Sequence, residues 1–424
     1  MLESGKKKNE EHHTSLIVCP ASLVYNWKEE LIRFAPELNC KLVVGTKDER
    51  DRIIEALGDF DVAVTSYDLL KRDIDRYEGI DFRYEIIDEA QNIKNQTTAA
   101  AKAVKVIKAS TKFALTGTPI ENRLSELWSI FDYLMPGFMF DYQSFKEKYE
   151  TPIAKYDDKE ALERLSRMAA PFILRRRKKD VLKELPDKLE EIRYAGMTDE
   201  QRRIYDGRVV KLKNLLEAQS DEDYNRNKLQ VFAELTRIRQ VCCDPLLVYE
   251  DYKGESAKRD SLMELIDGII EGGHKALIFS QFTSMFEIIE KELQEKGIIY
   301  YKITGKTPKE KRVELVNAFN ENDVPIFLIS LKAGGTGLNL TGADIVVHYD
   351  PWWNVAAENQ ATDRAHRIGQ TKVVTVYKLI LKDTIEERII EMQEAKMKLA
   401  EDILGNEAVG SSKIESEELL KLLE

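Results

Sequence analysis

The chain is poor in cysteine. Its four residues, Cys19, Cys40, Cys242 and Cys243, stand at no metal-ligand spacing, and adjacent cysteines rarely bridge each other. A disulfide scaffold is therefore excluded, and buried, reduced thiols of a cytosolic protein are expected. Long apolar runs are absent too: none approaches the roughly 18 residues of a spanning helix. The opening "MLESGKKKNEEHHTS" carries no apolar segment, so no signal peptide is expected. Excess positive charge is also lacking. A net charge of −11 argues against a protein coated in nucleic acid. It leaves room for a local basic groove, because phosphate contacts act locally.

What is present is a chain of 424 residues with 43% hydrophobic and 33% charged residues, enough for two or three domains with full cores. Two stretches alternate short apolar strands with helical patterns, which predicts α/β lobes on parallel sheets. The first holds "SLIVCP", "KLVVG", "DVAVTSY", "YEIIDEA" and "KFALTGTP"; the second holds "KALIFSQF", "YYKITG", "PIFLISL", "ADIVVHYD" and "VVTVYKLIL". Each strand ends in small or polar residues, where open α/β sheets place ligand sites. From about Leu124 to Asp260 the texture is mostly helical and charged. "LERLSRMAAPFILRRRKKDVLKELPDK" predicts a helix, a break at Pro171, a second helix and a stop at Pro186. Two further helices follow in "QRRIYDGRVVKLKNLLEAQ" and "KLQVFAELTRIRQVCCDP". A last one starts at a capping box, Thr384 with Glu387.

"DEAQNIKN", Asp88 to Asn95, follows an apolar strand. An isolated Asp-Glu pair is a weak signal and is more often a pair of solvated carboxylates. The setting strengthens it. "LTGTP" follows the next strand, and "QATDRAHRIGQ" places Arg364 and Arg367 three apart, predicted to share one helical face. Two arginines aimed at a phosphate site are what neutralisation of a phosphoryl transition state requires. Such a site also needs a glycine-rich phosphate loop, and the only "GKT" is Gly305-Lys306-Thr307. The loop pattern needs a glycine five residues before its Gly-Lys, where Tyr300 stands, and this "GKT" belongs to the second lobe.

With these stretches together, the chain resembles the Swi/Snf-type DNA-translocating ATPases of helicase superfamily two over roughly residues 14–400. The resemblance rests on "LIVCPASLVYNWKEEL", "IIDEAQNIKN", "ALTGTPIENRLSELWSIFDYLMPG", "PFILRRRKKDVLKELPDK" and "GGTGLNLTGADIVVHYDPWWNVAAENQATDRAHRIGQ". "DEAQ" replaces the commoner DEAH, and Gln91 hydrogen-bonds without titrating near neutral pH. The resemblance implies two RecA-like lobes with helical insertions between them. The expected division is a first lobe over 1–124, helical protrusions and linker over 125–260, a second lobe over 261–400, and a linker with a short helix over 401–424. In the family the phosphate loop lies one helix before the "LIVCP" strand. The first lobe is thus expected to be incomplete at its N-terminus, and the chain alone inactive.

The resemblance also implies residue roles, with ATP and Mg²⁺ as cofactors. Asp88 would bind Mg²⁺ mostly through water. Glu89 would orient and deprotonate the attacking water. Gln91 would report the γ-phosphate state. Arg364 and Arg367 would neutralise charge across the cleft, Gln360 opens their motif, and Gly335 and Gly337 would let backbone approach phosphate. Double-stranded DNA is the expected partner, through Ser22, Ser66, Ser280, Gln281 and Thr336, since hydroxyl and amide groups position a backbone without reading sequence. DNA-bound proteins are further expected partners, and no membrane is. Trp27 is expected in the core; Trp352 and Trp353 are divided between packing and a lobe-surface role near DNA. "LRRRKKD", Leu174 to Asp180, is either a solvated face or a brace. The implied activity is ATP-driven translocation that remodels protein–DNA complexes, in the nucleoid of a prokaryotic cell or in a nucleus. A strand-separating DNA or RNA helicase and a non-catalytic DNA-binding scaffold are the alternatives.

Overall fold

A computed structural model of the chain describes residues 14–117, 124–156, 158–176, 181–182, 184–217, 221–334 and 338–394. These divide into two compact units, one running to Ala170 and the other from Pro171. Each is wound around its own parallel sheet.

The first unit uses β1 (Ser15–Cys19), β2 (Cys40–Leu42), β3 (Val62–Ser66), β4 (Asp81–Ile87) and β5 (Lys108–Ala114) in the order β2-β3-β1-β4-β5. All pairings are parallel. β1 and β3 are buried at every residue, which is why "SLIVC" and "VAVTS" read as near-continuous runs rather than alternating ones. Alternate residues of β1 serve opposite faces: Leu16 and Val18 join one core cluster, Ile17 and Cys19 another. Helices α1 (Val24–Phe34), α2 (Lys47–Glu55), α3 (Tyr67–Asp73) and α4 (Ala99–Val106) connect the strands. Their starts are written locally. Thr46 and Glu49 form a capping box on α2, Ser66 accepts from Leu69 N–H at α3, and Thr98 caps α4. α5 (Leu124–Leu134) and α6 (Lys159–Ala169) follow, with shorter helical segments from Tyr142 to Tyr156 between them.

In the second unit the order is β6-β11-β10-β7-β9-β8, again all parallel. The strands are β6 (Lys188–Ala195), β7 (Ala276–Ser280), β8 (Tyr300–Ile303), β9 (Ile326–Ser330), β10 (Ile345–His348) and β11 (Val374–Leu381). Strands β7 to β11 repeat the winding of β1 to β5. Its helices are α7 (Asp199–Glu217), α8 (Asp221–Cys243), α9 (Ala257–Glu271), α10 (Thr283–Glu295), α11 (Lys309–Glu321) and α12 (Val355–Thr362), with one more over 385–394.

Three local expectations change. β6 lies within the stretch expected to be mostly helical. It is an edge strand carrying Lys188, Glu190, Glu191 and Arg193, the charged composition that guards a sheet edge and hides a strand pattern. After Pro171, residues 173–176 adopt no regular secondary structure, and part of the expected second helix lies outside the described residues. At the last helix Glu387 does reach back, but to Asp383 N–H at 2.8 Å, while the Thr384 hydroxyl accepts from Glu386 N–H.

In the first unit the winding reverses between β1 and β4. Open α/β sheets form their crevice at such a switch, outside the strand C-termini. Asp88 and Glu89 stand at the C-terminal end of β4.

Candidate active site

Backbone bonds fix the acidic turn from three strands. Asp88 N–H donates to Val18 of β1, Leu115 N–H to Ile87 of β4, and Ala90 N–H to Leu115 beyond β5. Glu89 takes the left-handed conformation, φ 52° and ψ 57°, uncommon for a residue with a side chain. It swings the chain from β4 into the short turn Ala90–Ile93, which Ser129 of α5 anchors with a bond to Ile93 O at 2.6 Å.

The side chains form a relay. Gln91 Nε2 donates to Glu89 Oε2 at 2.6 Å, and Thr116 Oγ1 donates to Gln91 Oε1 at 3.0 Å. The amide thus ties the carboxylate to the "LTGTP" segment. A titrating imidazole could not offer that donor–acceptor pair in both charge states. Asp88 is held separately. Trp27 Nε1 donates to its Oδ2 at 2.9 Å, Glu89 N–H to its Oδ1 at 2.8 Å, and the Tyr67 hydroxyl to its carbonyl at 2.7 Å. Trp27 is half-buried against the β1–β3 face, so it packs as expected and also bonds. Burial, then the Asp88 charge, pushes the Cys19 thiol up to about 12, and the same two causes raise the Tyr67 phenol.

These residues fit Mg²⁺ in one specific way. Among the described residues no cluster of three or more His, Cys, Asp or Glu forms a cage. Mg²⁺ does not need one, since it keeps several waters and takes one or two carboxylates plus phosphate oxygens. Each Asp88 oxygen accepts one protein bond and retains a lone pair for such a water.

The residues expected to contact DNA are placed unequally. Ser22 is exposed in the turn after β1. Ser66 is buried and caps α3, its hydroxyl accepting from Leu69 N–H, and Ser280 is buried with Oγ donating to Asp350 Oδ1 at 2.5 Å. Gln281 Oε1 accepts from Arg239 Nη1 at 3.0 Å. Arg239 also donates to Pro351 O at 2.6 Å and lies over the Phe282 and Trp353 rings. Burial raises the Asp350 carboxyl against the pull of Arg239 and Ser280. Trp352 and Trp353 are half-buried and pack against two different core clusters. Gly335, Thr336 and Gly337 lie outside the described residues. So does part of "LRRRKKD", of which Leu174, Arg175 and Arg176 are exposed.

The predicted helical face for the two arginines is corrected. α12 carries Gln360 but ends at Thr362, so Arg364 and Arg367 lie on the loop after it. Tight bonds wind the helix down: Arg364 N–H to Ala361 and Ala365 N–H to Thr362. The buried Gln370 amide then pins the loop by donating to the Thr341, Ala343 and Ala365 carbonyls. Arg367 donates to Leu338 O at 3.3 Å. Both arginines are half-buried.

"GKT" forms a closed turn between β8 and α11. Thr304 and Lys306 N–H donate to hydroxyls inside it, and Arg312 takes the Thr304, Gly305 and Thr307 carbonyls. Amides so engaged cannot cradle phosphate. Cys19, Cys242 and Cys243 are buried, Cys40 is half-buried, and all four are free thiols.

Sequence reasoning missed Tyr67, Arg239, Gln370 and the Trp27 bond. The available signal was Trp27 itself, because a buried indole N–H requires a partner.

The chain matches the family model of the SNF2-related domain over residues 1–247 and that of the helicase conserved C-terminal domain over 257–369. It is 38% identical over 414 residues to an uncharacterized ATP-dependent helicase of Mycoplasma genitalium, covering 97% of this chain and 39% of that protein. A putative ATP-dependent helicase/translocase of Bacillus subtilis is 38% identical over 414 residues, covering 96% and 44%. The chain thus spans about two fifths of the length of these curated relatives. Among solved structures it is similar to the Sulfolobus solfataricus SWI2/SNF2 ATPase core in complex with dsDNA, with 38% identity, 95% of this chain and 84% of that chain covered, and a TM-score of 0.45.

Proposed function

The chain belongs to the SNF2-related, Swi/Snf-type family of helicase superfamily two, and on that premise we propose that it forms the core of an ATP-driven translocase on double-stranded DNA that remodels protein–DNA complexes. The observation that carries this reading is the Thr116–Gln91–Glu89 relay at the end of β4. Glu89 is the general base, and it acts on a water only if its carboxylate is aimed. Gln91 aims it and couples its position to the segment after β5. Asp88 binds the Mg²⁺–nucleotide complex through water, and bound Mg²⁺ supplies charge neutralisation for the phosphates. Gln91, Gln360, Gly335 and Gly337 contact nucleotide, and Arg364 and Arg367 neutralise the transferring phosphoryl group. Ser22, Ser66, Ser280, Gln281 and Thr336 line the DNA track. Ser22 contacts phosphate through its exposed hydroxyl, while the hydroxyls of Ser66 and Ser280 hold the strand ends that present neighbouring backbone N–H groups.

The 424 residues contain no GxxxxGK[ST] loop. By themselves they bind ATP poorly and hydrolyse it negligibly, because the closed "GKT" turn cannot substitute. The function is therefore tested on a polypeptide that carries a glycine-rich phosphate loop ahead of these residues. ATP-dependent displacement of a third strand from duplex DNA, without opening of a forked duplex, is expected. Fork opening would favour the strand-separating alternative, and DNA binding with no ATP-dependent movement would favour the scaffold.

A further inference from the structure

We infer that Trp27 is a positioning residue for the metal-binding carboxylate, acting through its indole N–H on Asp88. The inference rests on the reading of Asp88 as a Mg²⁺ ligand and assigns the neighbour that aims it.

A carboxylate on a strand end is free to turn about its last torsion, which is broad and two-fold. Here both oxygens are taken by donors from different directions: Trp27 Nε1 on Oδ2 at 2.9 Å and Glu89 N–H on Oδ1 at 2.8 Å. Two such bonds fix the plane of the carboxylate, and the lone pairs left over keep one direction. The Asp88 main chain is fixed separately by its N–H to Val18 and by the Tyr67 hydroxyl. Trp27 is itself immobilised: it lies on α1 and packs on the apolar face made by Ile17, Val62 and Val64. The donor is therefore delivered by the core to the site and is not a mobile surface group.

The second unit supplies an internal contrast. Its winding repeats that of the first; in register Tyr349 stands where Asp88 does, and the carboxylate of that strand end, Asp350, comes one residue later, at the position of Glu89. There the carboxylate accepts from Ser280 Oγ and Gln281 N–H, stays buried, and has the Arg239 charge beside it. That arrangement consumes the carboxylate inside the protein. Trp27 supplies one neutral donor, which orients Asp88 without cancelling its charge or occupying its remaining lone pairs.

The test uses a polypeptide carrying the phosphate loop, saturated with ADP, and a reactive metal in place of Mg²⁺; no ADP-dependent cleavage around Asp88 in the wild type would overturn the metal reading and this inference together. Ferrous iron with ascorbate and peroxide cleaves backbone near its binding site, and the iron concentration giving half-maximal cleavage around Asp88 is measured. Excess Mg²⁺ should suppress that cleavage, and Asp88→Ala should abolish it. Trp27→Phe should raise the iron requirement about tenfold, the low end of what loss of an outer-sphere partner costs. Replacing Trp27 by its benzothiophene isostere, which keeps the shape and removes only the N–H, should do the same at an unchanged melting temperature. Cleavage that survives Asp88→Ala would remove the metal reading and this inference together. Cleavage lost in Asp88→Ala but unshifted by the isostere would overturn the inference and leave the metal reading standing. A shift with phenylalanine but none with the isostere would make Trp27 a packing residue and equally overturn it.

Discussion

Lys258→Met should unfold the second unit at a much lower temperature, although the site lies far from the acidic turn in sequence. Lys258 of α9 is 0% exposed, and its ammonium lies 2.6 Å and 2.5 Å from the two oxygens of Glu386. Glu386 also accepts from Leu381 N–H at 2.9 Å, and the ammonium lies over the Tyr349 ring. Burial is the largest single influence and depresses the lysine, but the charge and hydrogen bond of Glu386, with the neighbouring Cys243 and Cys242, together hold the ammonium above its ordinary value. Burial raises Glu386 in turn, against the pull of Lys258. Removing the cation strands a carboxylate in a dry site, which costs about 3–5 kcal/mol. For a unit of this size that is a melting shift of about 6–20 °C. Lys258→Met combined with Glu386→Gln keeps an acceptor for Leu381 N–H, removes the stranded charge and should recover most of the loss. Calorimetry of the wild type, the single variant and the double variant at neutral pH decides it. A single variant within about 1 °C of wild type, or a double variant as unstable as the single, would refute the reasoning, on the melting scale used above.

Glu85, fully buried on β4 opposite Lys112 on β5 at 3.1 Å, is pushed up by burial to about 7 despite the lysine. Its folded value exceeds its unfolded one, so its contribution is full below about pH 4.5 and disappears as pH rises through 7. The first unit should lose about 3 kcal/mol over that window relative to Glu85→Gln, read from melting of both proteins between pH 5 and 8. Gln91→Leu breaks both relay bonds. In a polypeptide with a phosphate loop it should cut DNA-stimulated turnover about 10–100-fold, the effect of losing a bond to a charged group. Arg367→Ala in the same polypeptide should cut turnover about 10³-fold with little change in melting. Arg367→Lys should not rescue it, because an ammonium lacks the planar fork; a loss matched by unfolding would make Arg367 a structural brace.

The buried strands were legible because parallel sheets covered on both faces need continuous apolar runs, as in β1, β3, β7 and β9. β6 was not, because an edge strand half open to water tolerates charge, and its pairing to β11 bridges segments remote in sequence. The acidic pair was legible as a motif, while the bonds that aim it were not. Trp27 to Asp88 spans 61 positions, Thr116 to Gln91 spans 25, and Lys258 to Glu386 spans 128. Such pairings depend on the winding of the sheets and leave no local periodicity. The arginine loop was misread because a spacing of three fits a helix, while the loop after Thr362 is held by the bonds of the buried Gln370 amide, which only tertiary structure supplies.

The central claim, that Glu89 is the base of a DNA-stimulated ATPase, is tested most directly by Glu89→Gln in a polypeptide carrying the phosphate loop. Nucleotide binding and ATP turnover are measured on one preparation, with and without duplex DNA. The account predicts binding within about threefold of wild type and turnover lower by about 10² or more, since the base is lost while the metal and phosphate contacts remain. Turnover within a few-fold of wild type, or nucleotide affinity lost together with activity, would contradict it.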